Sequence, residues 1–163
     1  MYPTPLLEKA ERLLQLCRQN KLTIAFAESC TGGLIGGLLT SVSGSSDVVL
    51  RGFITYDNVA KKELLGVPQE LLDTLGAVCE PVARKMAEGV IDHSAADLAV
   101  SVTGIAGPGG GSAQKPVGLV HFGCLKRGME TVHAREVFKG NRQEVRLQAV
   151  EKAIDLLTEA AQA

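Results

Sequence analysis

Three apolar segments of this chain each run into a polar or glycine-rich segment, and this alternation constrains the fold more than any other feature of the sequence. A short apolar run that stops at such residues is typical of a buried strand whose turn leads into a helix. The predicted strands are Leu22–Ala27, Val49–Tyr56 and Leu98–Thr103, and the segments that follow them begin at Glu28, Asn58 and Gly104.

Helices are predicted between these strands by the three- and four-residue spacing of apolar residues. They cover residues 5–19, 34–40, 68–75, 81–91 and 141–161, and a further helix starts at Asn58. We expect caps at Thr4, Asn58 and Asn141. Segments 117–125 and 131–138 predict a hairpin of two strands at one edge of the sheet.

This order of elements predicts an α/β fold, namely a three-layer α/β/α sandwich around a mixed, mostly parallel sheet. The chain has 163 residues, and we expect a single domain over residues 1–163. Ligands of such sheets bind at the carboxyl ends of the strands, where the connecting turns meet. If the three strands are parallel, the segments that follow them meet at one rim.

The composition argues against several classes of protein. Seventeen Lys and Arg residues balance 18 Asp and Glu residues without a long basic run, so we expect no nucleic-acid partner. No apolar run approaches the roughly 18 residues of a membrane span, and the N-terminal segment lacks the pattern of a signal peptide. We therefore expect a cytoplasmic protein without a membrane partner. The four cysteines and three histidines have no metal-binding spacing, which predicts no metal site.

The segment Glu28–Gly33 places hydroxyl groups and glycines at the start of a predicted helix. Unpaired N–H groups and the helix dipole favour a phosphate or an oxyanion at such a position. A tight strand-to-helix turn without a ligand is an equally good interpretation. The candidates for ligand contact are Ser29, Thr31, Gly32 and Gly33. Cys30 can act as a nucleophile there, but a small buried residue is the favoured interpretation.

The octet Gly104–Gly111 contains six Gly or Pro residues and must therefore be a loop. Glycine lets the backbone approach a ligand closely, and ordering consecutive glycines is entropically costly. Both facts favour a loop that lines a ligand site over a loop that only connects two elements. Gly104 and Gly107 are the candidates for contact with the ligand. Thr103, which ends the preceding strand, can donate a hydrogen bond either to a substrate or to the local backbone.

Lys61 lies in the first turn of the helix that starts at Asn58, where the helix dipole disfavours a positive charge. A lysine partly buried there has a lowered pKa and can act as a general base toward a serine, whereas a solvated lysine is the alternative. Tyr56 can donate its O–H group to an oxyanion or a leaving group, or can simply pack at the rim. Arg142 and Arg146, one turn apart in the last helix, can bind a phosphate or be solvated.

Several of these segments together resemble the CinA C-terminal-domain family over residues 5–160. They are Ala27–Gly33, Ser43–Ser46, Gly52–Tyr56, Asn58–Lys61, Val102–Gly111 and Lys115–Gly118. The resemblance implies the three-layer α/β/α fold and a stand-alone amidohydrolase that deamidates nicotinamide mononucleotide, releasing nicotinic acid mononucleotide and ammonia in pyridine-nucleotide recycling. It implies a small-molecule nucleotide as the partner and neither a metal nor an organic cofactor.

The resemblance also implies a set of functional residues for a serine–lysine mechanism. The set is Ser29, Ser46, Tyr56, Lys61, Thr103 and Arg142. It leaves open which serine attacks the carboxamide. Ser29 is favoured because it ends a strand as Tyr56 does, which puts it near Lys61. Ser46 begins a strand and reaches the site only if its loop folds over the rim.

The sequence departs from the family pattern in two places. Many relatives carry an upstream molybdopterin-binding-like domain, whereas this chain begins with Met1 directly before the first predicted helix, so we do not expect that domain here. Asp57 stands where the family often has a small residue, and its charge beside Tyr56 can tune the site.

Alternative functions and the oligomeric state remain open at this point. A non-catalytic nucleotide-binding module would use the same glycine loops and Arg142, and a hydrolase of a related amide would use the same serine and lysine. We expect a homodimer or a higher homo-oligomer, because the edge hairpin Val117–Phe138 offers a surface for self-association.

Overall fold

Five strands and six α-helices make up the chain in a computed structural model that describes residues 1–163. The strands are β1 (Ile24–Glu28), β2 (Val49–Ile54), β3 (Leu98–Gly104), β4 (Leu119–Lys126) and β5 (Val132–Val137). The helices are α1 (Thr4–Asn20), α2 (Leu34–Thr40), α3 (Asn58–Leu65), α4 (Gln69–Leu75), α5 (Glu80–Asp92) and α6 (Arg142–Gln162). A 3₁₀ turn over Ser45–Asp47 precedes β2.

The strands form one mixed sheet in the order β2-β1-β3-β4-β5. β1 pairs in parallel with both β2 and β3, whereas β4 is antiparallel to β3 and β5. Four of the five strands therefore run in the same direction, and the predicted α/β fold with its hairpin at one edge is confirmed. The other edge of the sheet is β2.

Two hydrophobic cores lie on opposite faces of the sheet. Helices α1, α2 and α6 cover one face with buried residues such as Leu13 and Leu157, and α3, α4 and α5 cover the other with residues such as Met86 and Val90. β1 is buried along its whole length and β3 along all but its last residue. Strands covered on both faces are continuous apolar runs in the sequence, which is why these two were predictable. None of the helices has the length and apolar character that crossing a membrane requires.

Two of the three predicted helix caps are wrong. Thr4 is already helical and makes no capping bond. Asp57, not Asn58, caps α3, because its extended backbone lets the carboxylate accept a hydrogen bond at 2.7 Å from the N–H group three residues later. The predicted cap Asn141 is confirmed, since its side chain accepts the N–H of Glu144 at 2.9 Å.

The start of α2 is capped by the buried carboxylate of Glu28. Its two oxygens accept hydrogen bonds from the N–H groups of Gly33, Ile35 and Gly36 at 2.9–3.1 Å. The sequence left open whether this helix terminus binds an anion or is a tight turn without a ligand, and in the structure the protein's own carboxylate occupies the position that an anion would take. The same bonds fix the direction in which the chain leaves β1, and therefore the position of Ser29.

We expect Glu28→Ala to reduce the free energy of unfolding by on the order of 3 kcal/mol, because three N–H groups at the helix start lose their acceptor. Glu28→Gln should reduce the free energy of unfolding by less, since the amide oxygen can still accept a hydrogen bond from an N–H group at the helix start. The matched control is Glu8→Ala on the exposed face of α1, which should stay within about 0.5 kcal/mol of the parent. Urea denaturation measures all three, and equal effects of Glu28→Ala and Glu8→Ala would disprove the capping role.

Candidate active site

An open cleft of about 280 Å³ lies at the carboxyl ends of β1, β2 and β3. It contains five of the six residues of the functional set implied by the resemblance, namely Ser29, Tyr56, Lys61, Thr103 and Arg142. They come from five separate parts of the chain, and the parallel pairing of β1 with β2 and β3 brings four of those parts to one rim. Arg142 joins them from the first residue of α6.

Lys61 is buried at the floor of this cleft, with 1% of its surface exposed. Its Nζ atom lies 3.0 Å from Ser29 Oγ, 2.7 Å from the carbonyl oxygen of Thr55 and 3.3 Å from that of Tyr56. The two carbonyls belong to the connection between β2 and α3, and the hydroxyl belongs to the end of β1. Three oxygen acceptors thus surround the amine.

Burial lowers the pKa of Lys61, and the negative charge of Asp57 opposes that shift. Desolvation disfavours the ammonium form, so the neutral amine becomes accessible at a lower pH than for a solvated lysine. In the neutral form, the two N–H bonds can point at the carbonyls of Thr55 and Tyr56. The lone pair is then directed toward Ser29 Oγ. This geometry makes Lys61 a hydrogen-bond acceptor for the serine hydroxyl.

Ser29 follows β1 directly and is itself nearly buried. Its N–H donates to the carbonyl of Val102 on β3 at 3.0 Å, which fixes the backbone at the end of the strand. The N–H of Cys30, the next residue, donates to no backbone carbonyl. Burial raises the pKa of the Cys30 thiol to about 12, so Ser29 rather than Cys30 is the nucleophile that this arrangement supports.

The predicted glycine-rich loop forms the opposite wall of the cleft. A Cβ atom on Gly104 would lie 2.8 Å from the carbonyl oxygen of Leu119 and 2.7 Å from the side chain of Val120. Gly107 has a φ of 81°, and a Cβ there would lie 2.4 Å from the side chain of Val117. Larger residues at either position would displace the loop, so the glycines allow it to pack tightly beside β4.

Arg142 bridges the two sides of the cleft. Its Nη1 donates to the carbonyl of Gly107 at 2.9 Å, and its Nη2 lies 3.4 Å from the hydroxyl oxygen of Tyr56. Tyr56 is 62% exposed, so its hydroxyl group is accessible to a ligand. Thr103 lines the same cleft, but its hydroxyl group donates to the carbonyl of Ala77 at 2.9 Å.

The structure keeps the remaining candidates away from the cleft. Ser46 lies exposed at the amino end of β2, roughly 20 Å along the strand direction from Ser29, and its loop does not fold over the rim. The side chain of Arg146 donates to the carbonyls of Cys30 and Thr31 and so ties α6 to the start of α2. Three further candidates lie at this turn without lining the cleft, namely Thr31, Gly32 and Gly33.

Sequence reasoning missed a pair of histidines beside the site. His121 lies opposite Thr103 on β4, and its Nδ1 lies 2.9 Å from Nε2 of His133 on β5, which is near the carboxylate of Glu80. Burial, followed by repulsion from His133, lowers the pKa of His121 to about 4, so this imidazole stays neutral near pH 7. No local sequence pattern connects these residues, since only the hairpin register brings them together.

All residues of this cleft lie within the part of the chain that matches a known family. The model of the CinA C-terminal domain covers residues 7–161 of the chain. The chain belongs to this family. A relative from Escherichia coli K12, named nicotinamide-nucleotide amidohydrolase PncC, is 43% identical over 157 residues, which are 96% of this chain and 95% of that protein. The protein of the same name from Enterobacter agglomerans is 53% identical over 126 residues, or 77% of each chain.

A solved structure supports the same assignment. The competence/damage inducible protein CihA from Agrobacterium tumefaciens superposes with a TM-score of 0.96 at 46% sequence identity, with 98% of each chain covered. Other curated members of the CinA family are longer, and this chain spans 33–38% of their length. The domain described here therefore matches both short relatives and one part of larger proteins.

The burial of Lys61 predicts a pH-dependent contribution to stability. The pKa of Lys61 is lower in the folded state than the 10.5 of a solvated lysine. At a pH between the folded and the unfolded pKa, the unfolded chain therefore binds more protons than the folded one. The free energy of unfolding consequently rises with pH in this range. The free energy of unfolding of the parent minus that of Lys61→Met should therefore increase as the pH approaches 10.5 from below. Urea titrations at a series of pH values measure this difference, and a constant or falling value would contradict the burial of the amine.

Proposed function

We propose that this CinA-family domain hydrolyses the carboxamide of nicotinamide mononucleotide to nicotinic acid mononucleotide and ammonia. The observation that carries the proposal is the contact of 3.0 Å between Lys61 Nζ and Ser29 Oγ at the floor of the cleft. A serine paired with a buried lysine is a nucleophile with its general base, which is what acyl transfer from an amide requires. The names of the relatives from Escherichia coli and Enterobacter agglomerans supply the substrate.

The first half of the reaction transfers the acyl group to Ser29. Neutral Lys61 takes the hydroxyl proton while Ser29 Oγ attacks the carboxamide carbon, and the carbonyl oxygen becomes an oxyanion. When the tetrahedral intermediate collapses, the C–N bond breaks and the Lys61 ammonium returns its proton to the departing nitrogen. Ammonia leaves, and the nucleotide remains attached to Ser29 as an ester.

The second half repeats these roles with water. Lys61, neutral again, takes a proton from a water molecule that attacks the ester carbon. Ser29 Oγ leaves and receives that proton, which releases the carboxylic acid product and restores the starting state. A lysine with a lowered pKa suits both halves, because it must accept a proton and return it in each one.

The oxyanion needs hydrogen-bond donors close to Ser29. The N–H of Cys30 donates to no backbone carbonyl and follows the nucleophile directly, so it is our candidate for this role. The Tyr56 hydroxyl group lies near Arg142 and can donate a hydrogen bond to the oxyanion from the solvent-exposed side of the cleft. Arg142 at the start of α6 is our candidate for binding the phosphate, because guanidinium and helix N–H groups both favour an anion.

Replacing Lys61 tests the proposed base. Lys61→Ala should lower the rate of ammonia release from nicotinamide mononucleotide by about a hundredfold or more. Lys61→Arg should not restore it, because arginine stays protonated. Lys62→Ala, next along α3 and exposed, is the matched control and should retain the parent rate. A chelator should leave the parent rate unchanged, since Lys61 supplies the base. Near-normal turnover in Lys61→Ala would remove Lys61 from the mechanism.

Replacing Arg142 tests the phosphate contact. Arg142→Ala should raise KM for nicotinamide mononucleotide far more than KM for nicotinamide riboside, which lacks the phosphate, because only the nucleotide loses a charge-assisted contact. Arg12→Ala, on the exposed face of α1, is the control and should change neither value. An equal rise in KM for the two substrates would mean that the phosphate binds elsewhere.

A further inference from the structure

Aliphatic side chains line part of the cleft in addition to its polar groups. They are Ala77 and Val78 in the connection between α4 and α5, and Ile105 and Ala106 in the glycine-rich loop. Ligand sites commonly combine an apolar surface with a few polar groups that orient the ligand. The substrate of the proposed function carries its carboxamide on a flat aromatic ring, and these side chains are the apolar surface that the cleft offers to such a ring.

The part of this surface that contains Ala77 and Val78 has no regular secondary structure. The segment Gly76–Cys79 connects α4 to α5, and the N–H groups of Ala77 and Val78 donate to no backbone carbonyl. Gly76 has a φ of 73°, a left-handed conformation that glycine adopts without strain. The position of the segment therefore depends on hydrogen bonds from side chains.

Three consecutive carbonyls at this connection accept hydrogen bonds from side chains. The pairs are Lys115 Nζ with Leu75, Cys79 Sγ with Gly76 at 3.4 Å, and Thr103 Oγ1 with Ala77 at 2.9 Å. Thr103 belongs to the end of β3, and Lys115 belongs to the loop before β4. Two distant parts of the chain thus hold the segment in place.

Lys115 connects the two walls of the cleft without lining it. Its N–H donates to Ser112 Oγ at 3.0 Å, and its carbonyl accepts the N–H of Ser112 at 2.8 Å. These bonds close a turn directly after the glycine-rich loop Gly104–Gly111. The backbone of Lys115 is therefore fixed beside one wall, while its ammonium group binds the Leu75 carbonyl at the start of the other wall.

We propose that Lys115 is a positioning residue for substrate binding, which sets the separation between Val78 and Ile105 on either side of the substrate's aromatic ring. This assignment rests on the proposed function. Lys115 acts through the Leu75 carbonyl and touches neither the substrate nor the reacting atoms. Its loss therefore weakens the binding of the ring and leaves the chemical step in place, which raises KM without lowering kcat.

Kinetics of Lys115→Met test this role, because methionine keeps the length of the side chain and lacks the donor. KM for nicotinamide mononucleotide should rise roughly tenfold, the factor expected for one charge-assisted hydrogen bond, with kcat nearly unchanged. The inhibition constant of nicotinamide riboside against the nucleotide should rise by the same factor, since both molecules carry the ring. A contact between Lys115 and the phosphate would instead weaken only the nucleotide.

Two further variants separate the hydrogen bond from the charge. Lys115→Arg should restore both constants, because arginine also donates to a carbonyl. Lys62→Met removes the same charge from an exposed position on α3 and should change neither constant. An unchanged KM in Lys115→Met, a loss for the nucleotide alone, or a fall in kcat without a rise in KM would overturn the proposal.

A chemical probe within the segment gives a test that needs no activity. Cys79 is half-buried, whereas the other three cysteines of the chain are buried, so iodoacetamide should label Cys79 first in the native protein. Peptide mass spectrometry follows the rate of this alkylation. The rate should increase several-fold in Lys115→Met, because the segment loses one of its hydrogen bonds and opens more often, and should return to the parent value in Lys115→Arg.

The labelling result also separates the two levels of the account. Equal alkylation rates of Cys79 in the parent and in Lys115→Met would overturn the positioning role, whatever the kinetics show. A parent that releases no ammonia from nicotinamide mononucleotide would contradict the proposed function instead. The alkylation rates would then still decide whether Lys115 positions the segment Gly76–Cys79.

Discussion

The buried amine of Lys61 is the interaction on which the rest of the site depends. Removing a lysine from water is unfavourable unless its N–H groups find acceptors, and here the acceptors are Ser29 Oγ and the carbonyls of Thr55 and Tyr56. These oxygens lie at the ends of β1 and β2, so the parallel pairing of the two strands is a condition for burying the amine. The same burial lowers the pKa of Lys61, which its proposed role as the base for Ser29 requires.

Glycines allow the helices to approach closely enough to produce this arrangement. A Cβ atom on Gly89 of α5 would lie 2.1 Å from the carbonyl oxygen of Leu65, so only glycine lets the end of α3 rest against α5 and carry Lys61 into the core. On the opposite face, Gly36 and Gly52 leave room for the ring of Phe26, with hypothetical Cβ atoms 2.9 and 2.1 Å from it. The fold is thus built around close backbone contacts that a larger residue would separate.

Features with a local sequence signal were predictable, and features that depend on long-range register were not. The apolar runs of β1 and β3, the glycine-rich loop and the cap at Asn141 all follow from neighbouring residues. The capping of α2 by Glu28 was missed because a carboxylate at the end of a strand reaches forward over the turn, which no short motif describes. The order of the strands favoured Ser29 over Ser46, but the distance between the two serines depends on where β2 lies relative to β1, which the sequence does not specify.

The central claim is that Ser29, deprotonated by Lys61, attacks the carboxamide, and an acid-quench experiment tests it directly. The enzyme is mixed with nicotinamide mononucleotide, stopped in acid within a single turnover, digested and analysed by tandem mass spectrometry. The account predicts an ester of the nicotinic acid mononucleotide acyl group on Ser29 that is absent in Ser29→Ala. An adduct on Ser46, or undiminished ammonia release from Ser29→Ala without any acylated serine, would contradict it.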